Sequence, residues 1–180
     1  MIRVVGSVGT DHHPFGRLLD WIAAASSSID GLDAFVQRGA TPPLEGLATV
    51  EYVAAAELEA LMLDADVVVC HGGPGSIFLA VRCGHRPIVV ARDPALGEHI
   101  DDHQMRYTAR MVSEDRIDVP ADLDEFIAML RIPRPRLPPL TEAGPEVAAA
   151  ARFGELVDCM MEGTLRRRRW SERILLRRMP

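Results

Sequence analysis

The sequence contains no lysine and no asparagine, and all 20 of its basic residues are arginine. Alanine is abundant, so this bias marks a GC-rich coding sequence and is not a functional signal. No apolar run approaches the ~20 residues needed to cross a bilayer, which argues against a membrane-spanning helix. Met1-Ile2-Arg3 leads straight into Val4-Val5-Gly6 and then polar residues, which is not the layout of a signal peptide. The three cysteines, Cys70, Cys83 and Cys159, are odd in number and lack metal-ligand spacing. They exclude a disulfide framework, and buried free thiols in a reducing cytosol are expected. A net charge of −6 excludes sequence-wide nucleic-acid binding. There is no internal repeat and no low-complexity tract.

What is present suits one α/β domain with a tail. The 180 residues are 48% hydrophobic, enough for a sizeable core. Strands are expected at 2–5, 34–37, 49–53, 67–70 and 87–91, with a short one at 117–119. Helices are expected at 15–25, 54–63, 76–82, 101–111 and 121–130, the last with Asp122 as a possible cap. Strands alternating with helices at this rhythm predict a Rossmann-like parallel sheet covered on both faces. Residues 1–131 form the domain. Residues 132–144 hold a proline-rich extended connector, because prolines at 133, 135, 138 and 139 exclude a helix. Residues 145–180 read as a helix and a basic tail.

The chain is organised around residues 65–104. An apolar β-branched run, Val67 to Cys70, is broken by His71-Gly72-Gly73-Pro74-Gly75 before helical spacing resumes at Ser76. A glycine-rich turn entering a helix leaves backbone N–H groups aimed outward at the positive end of the helix dipole. A phosphate or diphosphate is the natural guest there. A tight turn without a ligand has the same spacing, so the motif does not decide by itself. The turn lacks G-x-G-x-x-G spacing and no acidic residue ends the second strand, which argues against a dinucleotide-binding oxidoreductase.

His71-Gly72-Gly73-Pro74-Gly75-Ser76, taken with Asp101-Asp102-His103-Gln104, resembles the glycosyltransferase family 28 C-terminal domain, the nucleotide-sugar half of a GT-B enzyme. Val5-Gly6-Ser7-Val8-Gly9-Thr10 and Gln37-Arg38-Gly39 strengthen the resemblance, which covers roughly residues 2–130. The chain also resembles short proteins that begin at this domain, including the catalytic subunits of two-chain N-acetylglucosamine and exopolysaccharide transferases. The resemblance implies a UDP-sugar donor with Gly72, Gly73, Gly75 and Ser76 at its diphosphate. Asp102, His103 and Gln104 would lie near the sugar, and Gly9 and Thr10 on the other side of the cleft. It implies no cofactor and no metal. It further implies a separate, membrane-anchored acceptor-binding subunit and a lipid-linked glycan acceptor, hence a cytoplasmic protein peripheral at the inner face of the membrane. Where many relatives carry a ribose-binding glutamate, this chain has Leu79, and Glu98 is the nearest acidic substitute in the loop.

Other residues admit two roles. His71 can donate to a phosphate or hold the turn, and Ser76 can serve as both phosphate contact and helix cap. His12 and His13, beside Asp11, are the candidate general bases. Glu98, His99, Asp101 and His103 have metal-ligand residue types, but His99 falls outside the expected helix, so the stretch does not read as a metal site. Arg166–Arg178 holds seven arginines against Glu172, interleaved with Trp170, Ile174, Leu175 and Leu176. It suits docking on a partner subunit or on an anionic membrane surface. The function expected is a hexosyltransferase donor subunit, active with its partner in exopolysaccharide or cell-envelope glycan synthesis. The alternative is a non-catalytic assembly subunit with a degenerate nucleotide-sugar site.

Overall fold

The computed structural model describes residues 1–136. Five strands are interleaved with helices. These are β1 (Ile2–Ser7), α1 (Gly16–Ser28), β2 (Leu32–Gln37), β3 (Ala48–Val50), α2 (Ala55–Asp64), β4 (Val67–His71), α3 (Pro74–Arg82), β5 (Ile88–Val90), α4 (His103–Ser113) and α5 (Leu123–Arg131). The alternation breaks where β2 leads to β3 through a loop and where α4 is followed by α5. The sheet runs β3-β2-β1-β4-β5 and every pairing is parallel. The fold is Rossmann-like α/β, as expected.

Parallel strands need long crossovers, and the helices that supply them cover both faces of the sheet. Successive strand residues therefore bury into different cores. On one face Val4, Val36, Val67, Val69, Ile88 and Val90 pack with Leu18, Leu19 and Ile22 of α1 and Phe126 and Leu130 of α5. On the other, Val5, Val68, Cys70 and Val89 pack with Leu58 and Met62 of α2 and Ile77, Ala80 and Val81 of α3. Cys70 and Cys83 are buried free thiols, and burial pushes the Cys70 thiol up to about 12. Cys159 lies outside the described residues.

Several boundaries differ from expectation. The segment 117–119 is not a strand: Asp118 makes a single parallel bridge to Ile88. Helix α4 starts at His103, so Asp101 and Asp102 precede its first turn, and the Asp101 carboxylate accepts from the His103 N–H. Asp122 does cap α5, accepting from Glu125 N at 2.9 Å. After Arg131 the chain has no regular structure through 136. Arg134 and Arg136 tie it to the domain by donating to the carbonyls of Arg86, Cys83, Leu63 and Ala65. The basic tail and most of the proline-rich connector lie outside the described residues. Among the described residues, no helix is long and apolar enough to cross a membrane.

Candidate functional site

The strand order reverses between β1 and β4, and in such sheets the crevice beyond the carboxyl ends of those strands receives ligands. Two turns face each other there: the loop from Val8 to Pro14 after β1, and Gly72-Gly73 after β4. Helix α3 opens at Pro74, a residue with no N–H to leave unpaired, and it has no side-chain cap. The backbone N–H groups of Gly75 and Ser76 thus belong to the open end of the first turn. Ser76 is not the cap expected from the sequence. It is the third residue of the helix, and its carbonyl oxygen faces the Cys70 thiol at 3.5 Å.

His71 joins the two turns. It is 7% exposed, with Nδ1 3.3 Å from the Ser7 carbonyl oxygen. A Cβ added to Gly9 would lie 2.3 Å from its Cε1, and one added to Gly73 would lie 2.1 Å from its Nε2. The imidazole therefore occupies the space that side chains at both glycines would need. Burial pushes His71 down to about 4, helped by the Arg92 and His99 charges and opposed by the Ser7 bond and Asp11. The ring is neutral at physiological pH, so it brings no cationic charge to a phosphate.

Gln104, in the first turn of α4, lies against the same turn. It is 3% exposed, its Cβ lies 3.0 Å from where a Gly72 Cβ would be, and its Oε1 has no hydrogen-bond partner. Gly72 and Gly73 are buried, Gly75 is exposed and Ser76 is half-buried. Thr10, Asp102 and His103 are exposed. Asp102 pairs with Arg106 at 3.1 Å and His103 Nδ1 contacts Asp101. The structure thus gathers Gly9, His71, Gly72, Gly73 and Gln104 tightly, with Thr10 and Asp102 at the rim.

Glu98 is not available to a ribose. Arg17 holds both its carboxylate oxygens, Nε to Oε1 at 2.8 Å and Nη2 to Oε2 at 2.7 Å, and Asp93 N also donates to Oε2. Leu79 is half-buried against the α2–α3 core. Neither position offers a free carboxylate.

Sequence reasoning missed Arg92, which is fully buried. Its guanidinium donates to the carbonyls of His13, Pro14, Glu98 and Val8 and lies 4.8 Å from the Phe15 ring centroid. It fixes the loop after β1 to the loop after β5. The only trace in the sequence is an arginine two residues past a buried strand. Beside it Asp11, His13 and His99 converge. His13 Nδ1 is 2.6 Å from Asp11 Oδ1, and His12 is exposed, its ring centroid 4.0 Å from that of His13. Burial raises the Asp11 carboxyl, but bonds from the His13 backbone and ring and the His13 and Arg92 charges outweigh it, holding Asp11 at about 2.

The model of the glycosyltransferase family 28 C-terminal domain matches residues 37–143, more than half of the chain. The chain belongs to that family. The match runs from the last residue of β2 through α5, including the Gly72-Gly73 turn and Gln104. Among solved structures, one described as the "Glycotransferase of kitacinnamycin" has a TM-score of 0.56 at 16% identity, over 83% of this chain. This family 28 chain spans 37% of the length of that protein, and at such identity the likeness concerns the fold. No curated protein matches the chain in sequence.

Proposed function

We propose that this chain is the donor half of a split GT-B glycosyltransferase. It would bind a UDP-sugar and transfer the hexose to a lipid-linked acceptor held by a separate, membrane-anchored subunit, in exopolysaccharide or cell-envelope glycan synthesis. The observation that carries the reading is Gln104. A buried amide oxygen without a partner is unfavourable by about 1–3 kcal/mol, and it lies beside a turn whose helix presents open N–H groups. A sugar hydroxyl donating to Gln104 Oε1 satisfies the first, and a diphosphate the second. In this reading the start of α3 offsets the charge that develops on the departing diphosphate. The remaining contribution is positioning, with His71 spacing the two turns and Arg92 tying the loop after β1 to the loop after β5. The base that activates the acceptor belongs to the partner in this reading. The basic tail would dock on that partner or on anionic lipid, keeping the protein at the inner face of the membrane.

Calorimetric titration with UDP and UDP-sugars tests the reading. The expected result is weak binding by the chain alone, reduced roughly 10-fold by Gln104→Ala, and sugar transfer only with the partner present. Absence of heat with every uridine nucleotide, with and without the partner, removes the proposal. Leu79 against the core and Glu98 tied to Arg17 favour a second reading, a non-catalytic assembly subunit. Undiminished glycan synthesis by Gln104→Ala in the cell would select it.

A further inference from the structure

We propose that Asp11, His13 and His99 bind one divalent transition-metal ion, zinc or a close neighbour, at the carboxyl edge of the sheet. One ligand atom from each of the three lies within 4.8 Å of those of the other two. His99 Nε2 is 3.4 Å from Asp11 Oδ2. Neighbouring ligands of a tetrahedral zinc with bonds near 2.0–2.1 Å are about 3.3 Å apart. His13 Nδ1 lies 2.6 Å from Asp11 Oδ1, so that ring already rests against the carboxylate.

The surroundings are those of a supported site. The His99 side chain is 7% exposed, and its second nitrogen, Nδ1, lies 3.4 Å from the Asp101 N–H, which donates to it, and 3.5 Å from Asp101 Oδ1. With an ion on Nε2, Nδ1 would carry the ring proton and face that carboxylate, an arrangement that orients a ligating histidine and raises its basicity. Arg92 Nη1 donates to the His13 carbonyl oxygen at 2.7 Å and so fixes the loop that carries two of the ligands. Two histidines and a carboxylate suit zinc or another late first-row ion. Three protein ligands leave the fourth position for water or a substrate oxygen. A second group, His99, Asp101 and His103, shares His99. Its other two members are exposed, whereas Asp11, His13 and His99 are all partly buried, so the ion is assigned to the Asp11 side, where it replaces the His13–Asp11 hydrogen bond. This departs from what the family resemblance implies, and it stands whether or not the chain binds a nucleotide.

The test is titration of the full chain with Co2+, read by visible absorption, and with Zn2+ in competition with a chromophoric chelator. The expected result is one ion per chain, with the intense visible bands of tetrahedral cobalt. Asp11→Asn and His99→Ala should each weaken binding by about 100-fold or more, and His103→Ala by less than about tenfold. His13→Cys keeps a ligand at that position and should add a thiolate-to-cobalt charge-transfer band absent from the unsubstituted chain, a signal that does not depend on loss of binding. The proposal falls if neither ion binds stoichiometrically. It also falls if His103→Ala abolishes binding while Asp11→Asn does not, or if cobalt-loaded His13→Cys lacks the new band.

Discussion

Gly73→Ala isolates a single contact. The alanine Cβ would lie 2.1 Å from His71 Nε2 and 2.9 Å from Cδ2 and Cε1. Ordinary contact between such atoms needs about 3.5–4.0 Å. The ring must retreat by more than about 1 Å, yet it is buried, bonded to Ser7 and backed by Gly9 on its other side. Overpacking of this kind costs roughly 1–3 kcal/mol. The backbone adds nothing to that cost. Gly73 has φ −77° and ψ 134°, which alanine adopts freely, and replacing glycine at a compatible site stabilises by about 0.4–1 kcal/mol through the unfolded chain. Gly9→Ala differs, because φ +78° adds a left-handed penalty of about 1–2 kcal/mol to the same kind of clash. Urea denaturation followed by circular dichroism should therefore show Gly73→Ala destabilised by roughly 2 kcal/mol in the native background. Once His71→Ala removes the ring, the same change should be neutral or slightly stabilising. Gly9→Ala should keep a residual cost of about 1 kcal/mol in the His71→Ala background. Equal cost of Gly73→Ala in both backgrounds, or none in either, would refute the account of the ring as the spacer between the turns.

Three further outcomes follow from the structure. His71 is held neutral by burial at about 4 against about 6.5 unfolded, so the unfolded chain binds more protons between those values. Stability from this group is complete above about pH 6.5 and falls by roughly 3 kcal/mol toward pH 4. His85, also pushed down by burial, acts with the same sign, so melting curves of the native chain against His71→Ala across this window isolate His71. Arg92→Met strips donors from the carbonyls of Val8, His13, Pro14 and Glu98 and should lower stability by about 3 kcal/mol or more in denaturant titration. Asp122→Ala, which removes the cap of α5, should cost about 1 kcal/mol, and an unchanged melting temperature would show that the cap is energetically idle.

Most strands and helices were legible because Val67–Val69 and Ile88–Val90 are apolar β-branched runs and helices such as α1 repeat with the period of a buried face, Leu18, Leu19 and Ile22. The Gly72-Gly73 turn was legible because glycine breaks both patterns between Cys70 and Ile77. What escaped is long-range. Arg17 and Glu98 are 81 positions apart, and nothing local to either announces the other. Glu98 therefore read as a free acid in a loop. Arg92 looked like any surface arginine, because three of the four carbonyls it satisfies lie 78 to 84 positions away in the loop after β1. The stretch 117–119 has strand composition, but only Asp118 reaches the edge of β5, so a single bridge forms. The convergence of Asp11, His13 and His99 needed the fold to bring two loops together, and no spacing along the chain encodes it.

Because strand side chains alternate between the two cores, and both cores accept valine, hydrophobicity alone barely resists a one-residue register slip of β4. Such a slip would exchange Val67 and Val69 with Val68 and Cys70, apolar for apolar. It would also shift the imidazole by about 3.3 Å and carry it to the opposite face, away from the gap left by Gly9 on the loop after β1. The space left by the missing side chain at position 9 thus acts as a keyway for β4: the ring lies in it in the native register. The turn that faces the ligand is, in that sense, also the notch that sets the alignment of the whole sheet.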